Sequence, residues 1–269
     1  MQASTSRPDG TKLHYETRGA GQPVLILQGG VSDAGATAQL AAELAQDHLV
    51  LSYDRRGLSR STATSSVPVT MDTHADDAAA VLAAASASPA VLVGASIGAL
   101  IGLHLAARHP QRVALAVAHE PPMACVVRDP ARERAFDEIE ELAQHDVVAA
   151  IQKMGALTDS GTTTPEPDAR PGEPAGDLRA NLITFFRHDF PAVRGSRLDG
   201  AQLRAGADPA RIVLTGGQDS RGQWEHRCAQ ELAQQLDRPL QEIPGGHNGL
   251  TSHPRSIARA VHQWAAGPT

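Results

Sequence analysis

Short apolar segments alternate with longer amphipathic segments along most of this chain, and this alternation constrains the fold more than any other feature. Buried parallel strands are short apolar runs, whereas the helices that connect them are longer and repeat every 3.6 residues. A chain that alternates in this way is expected to form a mostly parallel sheet with helices on its faces. Strands are predicted at 12–19, 23–30, 48–53, 90–94, 112–119, 211–217 and 239–246, and helices at 33–46, 72–86, 97–108, 223–236 and 253–265.

The alternation stops between residue 121 and about residue 205. Helical patterns occur there at 130–144, 146–157 and 177–190 with no strand between them, and the stretch 158–176 is rich in proline and glycine. We interpret 121–205 as a helical cap with a mobile Pro/Gly-rich loop at 158–176, lying over the carboxyl edge of the sheet. Residues 1–120 and 206–269 would then form the core domain.

Composition excludes several classes of function. The 30 acidic and 24 basic residues leave a net charge of −6, which argues against a nucleic-acid partner. Cys125 and Cys228 match no metal or redox spacing, so no metal site and no disulfide framework is expected. We find neither a signal-peptide pattern nor an apolar run long enough to span a membrane, which predicts a soluble cytoplasmic protein. The excess of arginine over lysine is typical of a GC-rich bacterial gene.

The segment Gly94-Ala95-Ser96-Ile97-Gly98 matches the pattern G-x-S-x-G between a predicted strand and a predicted helix. In that context the serine lies on a sharp turn, and small neighbours are needed because bulky ones would collide with the strand or the helix. Ser96 is therefore a candidate nucleophile, and the amide of Ile97 is a candidate oxyanion donor. By itself the pattern also fits a small-residue turn that begins a buried helix. A phosphate-binding loop is excluded because no Gly-Lys-Ser/Thr follows.

A serine nucleophile needs a base, and we favour His247, in the glycine-rich loop after the last predicted strand. His253 is expected to begin the last helix, and His104 and His109 lie on the helix behind the serine. The orienting carboxylate is predicted to be Asp219, because the chain order is then Ser, Asp, His. Glu120, which follows the strand at 112–119, remains the alternative.

Gly29 and Gly30 follow the predicted strand at 23–30 and precede a helix. A backbone without side chains can turn an amide there towards Ser96, and Gly30 is the expected second oxyanion donor. A plain strand-to-helix turn would carry the same sequence.

With these residues in place, the chain resembles the α/β-hydrolase fold family over nearly its whole length. The resemblance depends on "QGG" at 28–30, "YDRRGLSRS" at 53–61, "GASIG" at 94–98, "GGQDS" at 216–220 and "PGGHNG" at 244–249. It implies an eight-stranded, mostly parallel sheet, a helical cap inserted after the sixth strand, and no cofactor. It also implies the roles of nucleophile, acid and base for Ser96, Asp219 and His247, and of oxyanion donors for Gly30 and Ile97. Many members have histidine where this chain has Gln28.

The predicted function is hydrolysis of a carboxylic ester, lactone or thioester through an acyl-enzyme on Ser96. A small-molecule substrate is the expected partner, and a homodimer is a possibility. Candidate substrate-binding residues are Gln28, Phe185, Phe186 and His188, although the phenylalanines would also suit packing of the cap, as would Phe190. Asp54, Arg55 and Arg56 are interpreted as structural. Two alternatives stay open: a cyclase, lyase or cofactor-free perhydrolase of bacterial secondary metabolism, and a catalytically silent ligand-binding protein.

Overall fold

The computed structural model of the protein describes residues 1–64, 68–86, 88–158, 163–170 and 172–266. Eight strands form a single sheet: β1 (Gln2–Ser6), β2 (Lys12–Arg18), β3 (Gln22–Leu27), β4 (His48–Tyr53), β5 (Ala90–Ala95), β6 (Val113–His119), β7 (Ile212–Gly217) and β8 (Leu240–Ile243). Their order is β1-β2-β4-β3-β5-β6-β7-β8. β1 and β2 pair antiparallel, β2 pairs antiparallel with β4, and all other pairs are parallel. The predicted eight-stranded, mostly parallel sheet is confirmed.

The helices cover both faces of this sheet. They are α1 (Ala38–Leu44), α2 (Met71–Ala85), α3 (Ile97–Arg108), α4 (Pro130–Ala143), α5 (Val147–Leu157), α6 (Leu178–Thr184), α7 (Phe190–Gly195), α8 (Gly200–Gly206), α9 (Trp224–Gln235), α10 (Gly249–Ser252) and α11 (Pro254–Ala265). Apolar residues of α2, α3 and α9 form one core on the sheet, and those of α1 and α11 form a second. Helix α3 is buried from Ile97 to Ala106, as its almost uniformly apolar sequence predicts. None of the helices in the described ranges is long and apolar enough to cross a membrane.

The sequence missed strand β1. Its residues, Gln2–Ser6, are exposed or half-buried along the whole strand, because β1 is the edge of the sheet and packs little apolar surface. The apolar runs that identify the other strands are therefore absent from it. The predicted strands at 23–30 and 239–246 end early, at Leu27 and Ile243, and the glycine-containing residues that follow form loops at the carboxyl edge.

Helices α4–α8, together with one π-helical turn at Phe185–Asp189, lie between β6 and β7. We call these elements the inserted helices. Part of them shares a small apolar cluster of its own, separate from the two cores on the sheet. The single helix predicted at 177–190 is divided by the π-helical turn into α6 and α7, and α8 was not predicted. The domain boundaries at 120/121 and 205/206 stay predictions.

The predicted mobile loop at 158–176 lies partly outside the described residues, at 159–162 and 171. Its described part contacts the core. The Glu166 carboxylate accepts hydrogen bonds from the amides of Arg255 and Ser256, at 2.6 and 3.2 Å, and the Ala175 amide donates to Asp33 at 2.7 Å. These contacts hold the described part of the loop against α11 and the residues that precede α1.

Candidate active site

Ser96 occupies the sharp turn between β5 and α3. Its backbone has φ 53° and ψ −125°, a conformation that costs free energy for a residue with a side chain and that is found mostly at functional sites. The neighbouring glycines allow the turn. A Cβ at Gly98 would lie 1.9 Å from the Leu27 carbonyl oxygen, and one at Gly94 would lie 2.5 Å from the Gly98 carbonyl oxygen. The glycines of the motif are therefore required by close backbone packing.

A cavity of about 370 Å³ opens between this turn and the inserted helices. Ser96 and His247 both line it, so the predicted nucleophile and the predicted base face the same space. The cavity has the size of a small-molecule site. Most of its remaining wall is apolar, and the inserted helices supply a large part of it.

The carboxylate that contacts His247 is Glu120. Its Oε2 atom lies 2.8 Å from His247 Nδ1, and the Glu120 side chain is fully buried. The prediction that Asp219 orients His247 is wrong: the Asp219 side chain is exposed, and its backbone amide donates to the Gly245 carbonyl at 2.9 Å. Asp219 and Glu120 follow the neighbouring strands β7 and β6, but only Glu120 turns inward.

The surroundings of Glu120 explain how a carboxylate is tolerated in this position. The Gly217 amide donates to its Oε1 atom at 2.9 Å, and the Ser220 hydroxyl donates a short hydrogen bond to the same atom. Glu120 itself has φ 48°, which turns the chain sharply at the end of β6. Thus the last residue of β7 and the loop after it supply hydrogen-bond donors to Glu120 and do not supply the carboxylate itself.

Electrostatics couple the two groups. Burial alone would raise the pKa of Glu120, but the hydrogen bond from His247 and the charges of His119 and His247 lower it to about 2. Burial alone would lower the pKa of His247, but the hydrogen bond to Glu120 and the charges of Glu225 and Glu120 raise it above its ordinary value. With a carboxylate at Nδ1, the Nε2 atom of the neutral ring is the free base.

His119 fixes the loop that carries His247. It is fully buried between Thr215 and the loop after β8, with Nδ1 3.1 Å from Thr215 Oγ1 and Nε2 3.1 Å from the Gly246 carbonyl oxygen. Burial lowers the pKa of His119, and the Nε2–H group of its ring can donate to the Gly246 carbonyl. Sequence reasoning missed this residue, because a histidine inside an apolar strand gives no signal of what it faces.

The predicted oxyanion residues lie beside the nucleophile. Gly30 and Ile97 line the cavity together with Ser96, and a Cβ at Gly29 would lie 3.5 Å from the Ser96 Cβ. Gly30 has φ 47°, a left-handed conformation that suits glycine. These positions are compatible with the predicted roles of the two backbone amides.

Arg55 holds this glycine loop in place. Its Nη1 atom donates to the Gln28 carbonyl at 2.9 Å, and its Nη2 atom donates a short hydrogen bond to the Gly30 carbonyl. The same guanidinium lies 3.0 Å from Asp189, which belongs to the inserted helices, and both side chains are buried. The structural interpretation of Arg55 is therefore supported, and its side chain joins the loop that contains Gly30 to the inserted helices.

Asp54 and Arg56 are structural as well. Asp54 accepts from the Ala34 amide at 3.0 Å and pairs with Arg60 at 2.8 Å. Arg56 is buried, with ion pairs to Asp77 at 2.7 Å and Asp9 at 2.9 Å. Among the described residues, neither lines the cavity.

The candidate substrate-binding residues differ in whether they line the cavity. Phe185 lines the cavity, but Phe186, His188 and Gln28 are not among its described lining residues. Phe186 packs against Phe185 and Phe190, with ring centroids 5.2 and 5.8 Å away, inside the apolar cluster of the inserted helices. The packing interpretation of the phenylalanines thus accounts for Phe186 fully and for Phe185 in part.

Gln28 is buried, and its amide nitrogen donates to Thr37 Oγ1 at 3.1 Å. Thr37 does line the cavity, so Gln28 lies directly behind the wall. Gln28, Phe186 and His188 are therefore not among the described residues that line the cavity in this arrangement of the inserted helices, and substrate contact at those positions stays a prediction. Contact at those positions would require the wall itself to move.

A second Ser-His-Asp chain lies away from the cavity. Ser196 Oγ is 3.0 Å from His104 Nε2, and His104 Nδ1 is 2.8 Å from Asp72 Oδ1. Ser196 has an ordinary extended backbone, with φ −62° and ψ 138°, and the Asp72 side chain is half exposed. These contacts join α2, α3 and the end of α7. The two features that distinguish Ser96, a strained turn and a buried carboxylate, are missing here.

Two further charged residues line the cavity, and sequence reasoning did not select them. Arg132 on α4 and Glu225 on α9 form a buried ion pair in its wall. They come from segments 93 positions apart. No local motif marks either residue.

Within the described ranges, no cluster of three or more His, Cys, Asp or Glu side chains could hold a metal ion.

Comparison with known proteins identifies the family of this fold. Residues 22–262 match the family model described as the alpha/beta hydrolase fold. The hydrolase YraK of Bacillus subtilis (strain 168) is 31% identical over 261 residues, which cover 96% of this chain and 94% of that protein. A protein of Variovorax paradoxus (strain S110) named as the carbamate hydrolase RutD is 40% identical over 256 residues, covering 87% of this chain and 89% of that protein. The crystal structure of the enol-lactonase from Burkholderia xenovorans LB400 superposes with a TM-score of 0.73 at 19% identity, covering 98% and 100% of the two chains.

Proposed function

Because the chain belongs to the α/β-hydrolase fold family, we propose that it is a serine hydrolase that cleaves a carboxylic ester, lactone or thioester through an acyl-enzyme on Ser96. One observation carries the proposal. A serine on a strained turn faces the same cavity as a histidine whose Nδ1 atom lies 2.8 Å from a fully buried carboxylate. This combination of groups is the one that a Ser-His-acid triad uses for nucleophilic catalysis.

In the proposed reaction, His247 Nε2 takes the proton of Ser96 while Oγ attacks the substrate carbonyl carbon. The amides of Gly30 and Ile97 donate to the oxygen that becomes negative, and one such donor typically contributes ~3 kcal/mol to barrier lowering. His247 then returns the proton to the leaving oxygen or sulfur as the acyl-enzyme forms. Water, deprotonated by His247, hydrolyses the acyl-enzyme and restores Ser96.

Glu120 performs the role first assigned to Asp219. It accepts a hydrogen bond from Nδ1, selects the tautomer with a basic Nε2, and stabilises the imidazolium that forms during each proton transfer. Its pKa of about 2 keeps the carboxylate ionised at neutral pH. The Gly217 amide and the Ser220 hydroxyl hold its second oxygen, so the carboxylate has one orientation.

Carbamate hydrolysis is a second candidate, supported by the 40% identical relative named as a carbamate hydrolase. The same groups would serve, because a carbamate also offers a carbonyl carbon to attack and an oxyanion to stabilise. A carbamate is less electrophilic than an ester, so it places greater demands on the oxyanion donors. Comparing kcat/KM for an aryl ester and the matching aryl carbamate separates the two candidates.

Reaction of Ser96 with a fluorophosphonate probe tests the proposal. We expect wild type to be labelled, Ser96→Ala to be unlabelled, and Ser196→Ala to be labelled like wild type. Mass spectrometry of the protein mixed rapidly with a p-nitrophenyl ester should detect an acylated peptide containing Ser96.

The outcomes also separate the other classes of function. Labelling without turnover of esters, thioesters, lactones or carbamates would favour a cyclase, lyase or perhydrolase. Absence of both labelling and turnover would overturn the proposal and favour a ligand-binding protein.

A further inference from the structure

The buried ion pair in the cavity wall joins the inserted helices to the core. Arg132 Nη2 lies 2.5 Å from Glu225 Oε2, and the two side chains are 7% and 5% exposed. Arg132 Nη1 also donates to the Leu157 carbonyl at 3.0 Å. Both residues line the same cavity as Ser96 and His247.

Aromatic rings fix the orientation of the guanidinium. Its central carbon lies 5.1 Å from the centroid of the Trp224 ring and 5.6 Å from that of Phe136. Phe136 in turn packs edge-on against Trp224, with centroids 5.7 Å apart. Arginine is therefore held against two aromatic rings at a defined place in the wall, and it cannot easily swing out into solvent.

The remainder of the wall makes this pair conspicuous. Among the described lining residues, Arg132, Glu225 and His247 are the ones with ionisable side chains, and most of the others are apolar. In an apolar wall, an unpaired guanidinium would attract the carboxylate of a ligand strongly. Glu225 occupies the position that such a carboxylate would take. The pair therefore presents no net charge to a bound molecule.

We propose that Glu225 determines the charge selectivity of this cavity, because it occupies the side of Arg132 that would otherwise bind an anion. The part of the substrate that contacts Arg132 and Glu225 is then uncharged. The inference rests on the proposed hydrolase function and narrows its substrate class. Esters with neutral acyl or alcohol groups are accepted, and esters that also carry a free carboxylate are rejected. A carboxylate brought to the pair would lose its hydration and would find no uncompensated cation in exchange, because Glu225 already neutralises Arg132, and burying an unpaired charge is costly. A neutral group meets no such cost.

Two p-nitrophenyl esters of similar acyl length test this inference, p-nitrophenyl valerate and the mono-p-nitrophenyl ester of glutarate. We expect wild type to prefer the neutral ester by at least about tenfold in kcat/KM. Glu225→Gln keeps the acceptor for Arg132 but removes its charge. This variant is expected to raise the ratio of anionic to neutral turnover by about tenfold or more.

Removing the charge of Arg132 is expected to favour cationic substrates. Arg132→Gln leaves Glu225 as an unpaired carboxylate in the wall, so turnover of a trimethylammonium-bearing p-nitrophenyl ester should rise relative to the valerate ester by about tenfold. This second variant decides the question if Glu225→Gln does not fold. Glu16→Gln is the matched control, because Glu16 pairs with Arg60 outside the cavity and should leave every ratio unchanged.

A purely structural role for the pair would lower turnover of all esters together in both variants and leave their ratios unchanged, which would overturn the inference. A wild-type protein that turns over the glutarate and valerate esters equally would also overturn it. Failure of the proposed function has a different signature, since wild type would then cleave none of the three esters and would not react with the fluorophosphonate.

Discussion

Glu120 and His247 lie 127 positions apart in the chain, yet Glu120 Oε2 and His247 Nδ1 are 2.8 Å apart. The contact spans three neighbouring strands. Glu120 follows β6, His247 follows β8, and the end of β7 between them donates its Gly217 amide to Glu120. Three parallel strands that end at one edge of a sheet therefore assemble the base and its carboxylate.

Replacing the two candidate acids gives the most direct test of this arrangement. Glu120→Gln is expected to lower kcat for an aryl ester by ~10³–10⁴, because His247 loses the partner that fixes its tautomer. Asp219→Asn should retain activity near wild type, because its carboxylate faces solvent. Steady-state kinetics measure the effect, and thermal unfolding of each variant controls for folding. Loss of activity in Asp219→Asn with an active Glu120→Gln would contradict the structure.

The pH dependence follows from the raised pKa of His247. The histidine must be neutral to act as a base, so kcat/KM should be lost as pH falls through its pKa, which lies above the ordinary 6.5. Activity should be highest on the alkaline side of that value. In Glu120→Gln, the pH at which the residual kcat/KM is lost on acidification should be lower than in wild type, because the carboxylate that favours the imidazolium is gone. An acid limb unmoved by that substitution would mean that another group controls it.

Replacing either partner of the buried pair between Arg55 and Asp189 is expected to lower the free energy of unfolding. Asp189→Asn would leave a buried guanidinium without its counter-charge, and such changes typically cost ~3–5 kcal/mol of unfolding free energy. The Gly30 loop should also lose rigidity, since Arg55 holds its carbonyl, so kcat should fall more than KM rises. Urea unfolding and ester kinetics measure the two effects.

Glu140→Gln is the matched control for that experiment. It breaks the pair between Glu140 and Arg194, both of which are partly exposed. Pairs of that kind contribute ~1 kcal/mol or less. Equal losses of stability in the two variants would contradict the role assigned to the buried pair.

Two glycines on α3 provide a packing test. A Cβ at Gly98 would lie 1.9 Å from the Leu27 carbonyl oxygen, so Gly98→Ala should push α3 away from β3 and disturb Ser96. We expect a large loss of both stability and turnover. A Cβ at Gly102 would meet the Leu27 Cδ1 atom at 3.3 Å and two Leu92 side-chain atoms at 3.9 and 4.0 Å, and these side chains can adjust. Gly102→Ala should therefore be far milder, and equal behaviour of the two variants would contradict the close approach at Gly98.

Features that depend on residues close together in the chain were predictable from the amino-acid sequence. Alternating apolar and amphipathic segments predicted seven of the eight strands, with β1 missed because an exposed edge strand has no apolar pattern. The turn at Ser96 was also visible, since Gly94 and Gly98 are required within a few residues of the serine.

The identity of the carboxylate that reaches His247 depends on how the chain folds. Asp219 and Glu120 both follow strands that end at the same edge of the sheet, so their positions in the sequence allow either residue to be the partner of His247. The choice depends on the left-handed backbone of Glu120 and on donors brought from β7, which are contacts between distant parts of the chain. The same holds for Arg132 and Glu225, because an ion pair between two separate helices leaves no trace in either segment.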